Sequence, residues 1–297
     1  MSPQTVRRNS PKAWWLAARP KTLTAAVIPV ATASALAAAN GDFALVPAVL
    51  CLVFAALMQV AANFINDLFD FLRGTDGADR LGPERACAQG WISPRAMRMG
   101  IVVLISAACV AGACLLCYGG WWLLGLGVAC VVFAFLYTTL LSYCGLGDLL
   151  VWCFFGIVPV VGTYYVQAGQ LAPEVWWLAA AGGLVTDTLL VLNNYRDRDT
   201  DRRAGKRTLI VALGERFGSL FYLGQGYAGA ACVMAMAIYG HTWVALTVLP
   251  YLVLHTATWR TMVRINRGRE LNRILGQTSR NMLVFAILVV IGLLLPS

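Results

Sequence analysis

The chain has 297 residues, 59% of them hydrophobic and 12% charged, with a mean hydropathy of +0.70. A soluble domain of this length carries about 25% charged residues, so the composition excludes an ordinary soluble enzyme and points to an integral membrane protein. The net charge of +9 would suit nucleic acid if it covered one soluble surface, but its confinement to alternate loops excludes that partner.

A helical span needs about 20 apolar residues. Such runs predict nine spans, at 22–39, 44–66, 97–117, 121–141, 148–167, 174–194, 217–239, 242–262 and 274–295. Residues 1–21 form a short cytoplasmic N-terminal segment, and 22–297 form a single transmembrane domain because no long structureless stretch divides them. The basic start followed by an apolar run and "ALAAAN" has the look of a signal peptide, yet eight further spans favour a retained first helix. All 23 Lys and Arg fall before the first span, in alternate connections or, for Arg98, Arg260 and Arg280, in the span ends beside those connections. The opposite connections, "NGD", "YGG", "VQAGQLAPE" and "YGHT", contain none. The positive-inside rule then puts the N-terminus and the basic loops in the cytoplasm and Ser297 outside.

The second span runs into "NFINDLFDFLRGTD", in which Asn63, Asn66, Asp67 and Asp70 recur at i, i+3, i+4 and i+7. On a helix these share one face. The sixth span ends similarly, in "LNNYRDRDTDRRAGKRTL", with Asn193, Asp197 and Asp201 on one face. Both clusters leave the membrane on the cytoplasmic side with four helices between them, so a bundle can bring them face to face. Carboxylates gathered at low dielectric repel one another or take up protons unless cations neutralise them. Asp67, Asp70, Asp76, Asp197 and Asp201 supply the hard oxygen donors that Mg²⁺ prefers, usually in company with substrate phosphates. Arg73, Arg80, Arg85, Lys206 and Arg207 stand beside them. A bare cation site has no use for those bases, whereas a diphosphate held partly by metal and partly by Arg and Lys does. No GxxxxGK[ST] is present, which argues against a nucleotide P-loop and for a lipid diphosphate whose tail lies between the helices.

The remaining candidates are weaker. Cys114 and Cys117 form a lone CxxC on an apolar helix, without a second pair or a nearby His to make a metal site. His241 and His255 are isolated and read as structural or interfacial.

Taken together, "NxxNDxxDxxxGxD" and "NNxRDxxxD…GKRT" resemble the UbiA superfamily of intramembrane aromatic prenyltransferases. "RPKTLTAAVIPV", "DRLGPERACAQGWIS" and "FFGIVPVVGTYYVQAG" are similar to its MenA branch, the 1,4-dihydroxy-2-naphthoate polyprenyltransferases. The resemblance implies an all-α membrane protein of nine transmembrane helices around a central cavity, multi-pass in the inner membrane of a bacterium, with its active site facing the cytoplasm. It implies Mg²⁺-dependent transfer of a polyprenyl group from polyprenyl diphosphate to 1,4-dihydroxy-2-naphthoate, with loss of diphosphate and CO₂, giving demethylmenaquinone. By position, Asp67, Asp70 and Asp76 match the first metal motif and Asp197 and Asp201 the second. Asn63 and Asn194 match amides beside the motifs, with Asn66 on the same face. Arg85, Lys206 and Arg207 match diphosphate-holding positions, with Arg73 next to them. Tyr137, in "FLYTTL", resembles a tyrosine near the allylic carbon, and Tyr164 or Tyr195 could add π surface around the allylic cation.

Two positions depart from that pattern. Asp148 stands where similar proteins often have Glu, which shortens its reach toward an aromatic substrate. Asp187 lies two turns inside the sixth span, where an intramembrane carboxyl is either functional or hydrogen-bonded to a neighbouring helix. Two rival readings remain at this level: a sibling transferase using another acceptor such as 4-hydroxybenzoate, and an ion-coupled transporter. The transporter predicts polar residues through the depth of several helices, whereas here they crowd one side.

Overall fold

The structure, a computed structural model, describes residues 6–74, 81–139, 141 and 145–296. It is helical from the N-terminal segment onward. Helix α1 (Pro11–Ala18) is capped by Ser10, whose hydroxyl accepts from the Ala13 N–H. Arg19, in the left-handed region at φ 52°, bends the chain into α2 (Leu23–Ala39). Then come α3 (Leu45–Arg73), α4 (Pro94–Gly119), α5 (Trp122–Thr139), the short α6 (Gly147–Trp152) and α7 (Val158–Ala168). The second half contains α8 (Glu174–Arg203), α9 (Leu209–Leu213), α10 (Glu215–Ala235), α11 (Thr242–Thr247), α12 (Leu249–Ile265) and α13 (Leu271–Leu294).

Eight helical stretches among the described residues are long and apolar enough to cross a membrane. The expected span at 242–262 is instead two helices in series, α11 and α12, which break at Val248. Pro250 sits in the first turn of α12, where its missing N–H and fixed φ favour a new helix start. Pro159 has a comparable place at the start of α7, behind one wide π turn, Cys153–Ile157, that joins α6 to α7. The larger differences from the expected boundaries are at α3 and α8. Their apolar runs stop near residues 66 and 194, but the helices continue to Arg73 and Arg203, so both acidic motifs are fully helical.

α3 lies along α4, α8 along α10, and α2 along α13. The main core joins α2, α7, α8, α10 and α13 through Leu36, Leu178, Val185, Val233 and Phe285. Outward, Val103, Val110, Trp121, Val128 and Val253 are exposed. On a membrane-spanning bundle these face hydrocarbon, so association rests on close packing and interhelical hydrogen bonds rather than on exclusion of water. Small residues allow that packing. A Cβ on Gly156 would come within 2.7 Å of the Gly183 backbone, where neither neighbour can yield. Gly156→Ala should therefore destabilise the bundle by about 1–3 kcal/mol, seen as a lower unfolding midpoint in detergent at unchanged helix content. His255 is structural: it is buried between the Tyr222 and Tyr251 rings, with Nε2 3.0 Å from the Tyr222 carbonyl oxygen.

Candidate active site

The first motif occupies the last three turns of α3, which ends at Gly74 with φ 69°. Its residues share one flank of the helix but serve different partners. Asn63 Nδ2 donates to the Ala18 carbonyl and to Thr22 Oγ1, both at 2.9 Å, fixing the bend between α1 and α2. Asn66 Oδ1 accepts from Thr138 Oγ1 at 2.9 Å. Arg73 donates to the Thr138 and Thr139 carbonyls, oxygens left without helical partners at the end of α5. Asp67 is 1% exposed, and its two oxygens accept the N–H groups of Ala86 and Cys87 at 2.8 Å each. Asp70 forms an ion pair with Arg85 at 2.7 Å. The connection 81–93 is thus folded back over the end of α3 as a cap, latched by both aspartates.

The second motif closes α8. Arg196 holds Asp197 through two hydrogen bonds, of 2.7 and 2.6 Å, and donates a third to Asn272 Oδ1 at 2.7 Å. Asn272 Nδ2 in turn donates to the Leu81 carbonyl at 2.7 Å. The start of the cap, the end of α8 and the first turn of α13 are tied together by that one side chain. Arg198 fastens the α12–α13 connection in the same way, donating to Asn266 and pairing with Glu215 at 2.9 Å. Asp201 is 3.8 Å from the Lys206 ammonium. Asn193 turns back to the Leu189 carbonyl of its own helix.

Beside the second motif lies a small cleft lined by Tyr137, Gly147, Asp148, Leu190, Asn194 and Lys206. Four expected site residues, Tyr137, Asp148, Asn194 and Lys206, therefore converge from α5, α6, α8 and the turn after α8. Asn66 and Arg73 are hydrogen-bonded to Thr138, the residue after Tyr137, which places the first motif beside the same cleft. Arg207 is exposed, with its backbone against Gly145. Asp76 and Arg80 lie outside the described residues.

Tyr164 does not belong to this group, contrary to the expectation from sequence. Its hydroxyl accepts from Asn40 at the end of α2, and Asn40 also donates to Glu174 at the start of α8. That is the opposite end of the bundle, one turn from the end of α7, too far along the helix for contact with the motifs. A larger cavity opens at that same end, lined by Asn40, Tyr239, His241 and Pro296; it contains neither the paired carboxylates nor a basic cluster. Tyr195 is buried, its hydroxyl donating to Asn266 Oδ1 at 3.0 Å. Asn272, Arg196 and Arg198 join the two motifs only in the folded chain. In sequence the two arginines read only as topological charges, and a lone Asn carries no signal at all.

No three His, Cys, Asp or Glu side chains converge on one point among the described residues. The donor set nevertheless suits a hard divalent cation, because Asp70, Asp197 and Asp201 offer carboxylate oxygens at one end of the bundle. In the arrangement seen, Arg85, Arg196 and Lys206 balance their charge.

Residues 26–279 match the profile of the UbiA prenyltransferase family. Among curated proteins, the chain is 35% identical to a 1,4-dihydroxy-2-naphthoate octaprenyltransferase of Haemophilus influenzae, over 96% of each chain. Among solved structures, a UbiA homolog from Aeropyrum pernix superposes with a TM-score of 0.70 at 20% identity, over 91% of this chain and 96% of that one. A UbiA homolog from Archaeoglobus fulgidus bound to GPP and Mg²⁺ does so at 0.65 and 16% identity, over 95% and 100%.

Proposed function

Because the chain belongs to the UbiA prenyltransferase family, we propose that it transfers a polyprenyl group from polyprenyl diphosphate to 1,4-dihydroxy-2-naphthoate. Diphosphate and CO₂ leave, and the product is demethylmenaquinone in its quinol form. The observation that carries this reading is the cleft itself: an ammonium, an amide, a tyrosine ring and a carboxyl converge beside the acidic end of α8, and the first motif is bonded to Thr138 next to that tyrosine. The same end of the bundle bears the basic loops, so it faces the cytoplasm of a bacterial inner membrane by the positive-inside rule.

Lys206, Arg207 and Arg85 receive the diphosphate head, and Asn194 donates to its oxygens. Asp70, Asp197 and Asp201, with Asp76 and the remaining lone pairs of Asp67, would hold Mg²⁺. When bound, that ion supplies charge stabilisation to the leaving diphosphate. The Tyr137 ring borders the cleft where the allylic carbon becomes cationic, and a π face stabilises such charge. The acceptor ring then attacks that carbon as the carbon–oxygen bond to diphosphate breaks. The bonding pair of the departing carboxylate returns to the ring, so no net proton transfer is required.

The assay uses purified protein in detergent with a short polyprenyl diphosphate and Mg²⁺, offering dihydroxynaphthoate and 4-hydroxybenzoate together. Mass spectrometry should find a prenylated, decarboxylated naphthoquinol that disappears on addition of EDTA and returns with excess Mg²⁺. Prenylated hydroxybenzoate alone would overturn the acceptor, and activity indifferent to EDTA would overturn the metal.

A further inference from the structure

Membrane orientation asks only that basic residues stay on the cytoplasmic side. On the hairpin of α12 and α13 they do more than that. Arg260 lies more than a turn before the end of α12 at Ile265, and Arg280 more than two turns past the start of α13 at Leu271. A guanidinium set that far along a membrane helix is costly unless something at headgroup level receives it.

Hydrogen bonds on both flanks of each helix fix where these arginines point. On α13, Ser279 bonds to α2, through Thr24 Oγ1 at 3.2 Å and the Lys21 carbonyl at 3.3 Å. Asn281 bonds to α12, through Thr258 Oγ1 at 2.8 Å. Arg280 stands between the two in sequence and projects outward between α2 and α12, and Arg273, seven residues earlier, shares its face. On α12, Thr256 bonds to Tyr227 of α10 at 2.9 Å and Thr258 to α13. The exposed residue between them is Ala257, and Arg260 and Arg264 follow it at i+3 and i+7. All four arginines are exposed, as is Lys21 at the level of Ser279. None of these five cations makes an ion pair among the described residues; Asp199 and Glu215 face Arg267 instead, and Glu270 is exposed on the connection.

The same outward strip continues as apolar surface. Leu283 and Ile287, at i+3 and i+7 from Arg280, are 41% and 50% exposed, and Val253, seven residues before Arg260, is 71% exposed. Cations at the end of a hydrocarbon-facing strip complement a molecule with an anionic head and acyl chains. Arginine stems lie along apolar surface while their heads reach the interface, and a guanidinium holds phosphate oxygens through paired N–H donors. A soluble acidic partner would meet the cations but not the strip, which lies in hydrocarbon.

We infer that this flank binds an acidic phospholipid of the cytoplasmic leaflet. Its phosphodiester is held by Arg260, Arg264, Arg273 and Arg280, with Lys21 at the edge, and its chains lie along Val253, Leu283 and Ile287. The hairpin also carries Asn266 and Asn272, which hold Arg198 and Arg196 at the end of α8. A lipid that bridges the two legs therefore braces the support of Asp197.

The test compares the full-length wild type with Arg260→Gln/Arg264→Gln, with Arg273→Gln/Arg280→Gln, and with a control, Arg95→Gln/Arg98→Gln, which removes two exposed arginines from the start of α4. Each protein is extracted from vesicles of equal phosphatidylglycerol and phosphatidylcholine, and the retained lipid is counted by native mass spectrometry. Wild type and control should retain phosphatidylglycerol in preference to phosphatidylcholine, and each hairpin variant should lose that preference by roughly tenfold. Added phosphatidylglycerol should raise the unfolding midpoint of the wild type in detergent and move that of the hairpin variants far less. Equal retention in all four proteins would overturn the inference and leave the arginines to membrane orientation alone. If one hairpin variant does not fold, the other pair decides. Neither readout uses turnover, so failure of the assigned reaction and failure of this site are seen separately.

Discussion

Asp197→Asn is expected to lower kcat by about a thousandfold, the scale seen when a positioned electrostatic group is lost from a reaction centre. The carboxylate is fixed by two hydrogen bonds from Arg196, and Arg196 is fixed by Asn272. Neutralising Asp197 removes an oxygen donor from the proposed metal set. It also leaves the Arg196 guanidinium, with its side chain only 3% exposed, without a full counter-charge. Both effects act on the same site. Asp199→Asn, two residues further along α8, is the control: its carboxylate is 51% exposed and lies 3.8 Å from an exposed Arg267. Surface pairs of that kind contribute about 0–1 kcal/mol, so its activity should stay close to wild type. Single-turnover kinetics at saturating substrates separate the chemical step from binding, and equal losses in the two variants would remove Asp197 from the site.

Asp67→Ala should show its largest effect on the cap. The two N–H groups it accepts belong to Ala86 and Cys87, which are 2% and 3% exposed. Both would lose that acceptor while buried, at about 1–3 kcal/mol each. Asp67→Asn keeps one acceptor but turns an NH₂ toward the other N–H, so about half that loss is expected. Measured in EDTA, where no metal can contribute, both variants should unfold at a lower temperature and should expose residues 81–93 to protease. An unchanged midpoint in EDTA would mean that Asp67 has no latching role. Loss of activity without loss of stability would assign it to the metal alone.

The same cap shows where sequence reading stops. The spacing of Asn63, Asn66, Asp67 and Asp70 places them on one flank of a helix, and that is where they lie. Within the flank the partners differ: two carbonyl and hydroxyl oxygens of the α1–α2 bend for Asn63, Thr138 for Asn66, cap backbone for Asp67, and Arg85 for Asp70. Helical period fixes direction around an axis, but not what the chain brings to meet it some 20 residues later. Tyr164 illustrates the converse. Its aromatic character made it eligible for the reaction centre, yet its place near the outer end of the predicted span 148–167 already put it on the other side of the membrane. Span position outweighs residue type.

What the sequence by itself determined is what partition between water and hydrocarbon determines: a helical membrane protein, the apolar centres of eight of its nine expected spans, and two acidic motifs at helix ends. Those are properties of contiguous segments. The continuation of α3 and α8 beyond the apolar runs was less legible, because polar helical turns outside hydrocarbon are stabilised by neighbours rather than by burial in lipid. Only the tertiary structure decided that Asn272 joins Arg196 to the Leu81 carbonyl, and that Gln225 engages one oxygen of Asp187 while the other has no hydrogen-bond partner among the described residues. Each of these contacts depends on the rotation and depth of two helices relative to one another. That geometry is set by small-residue packing such as Gly156 against Gly183, which no single segment encodes.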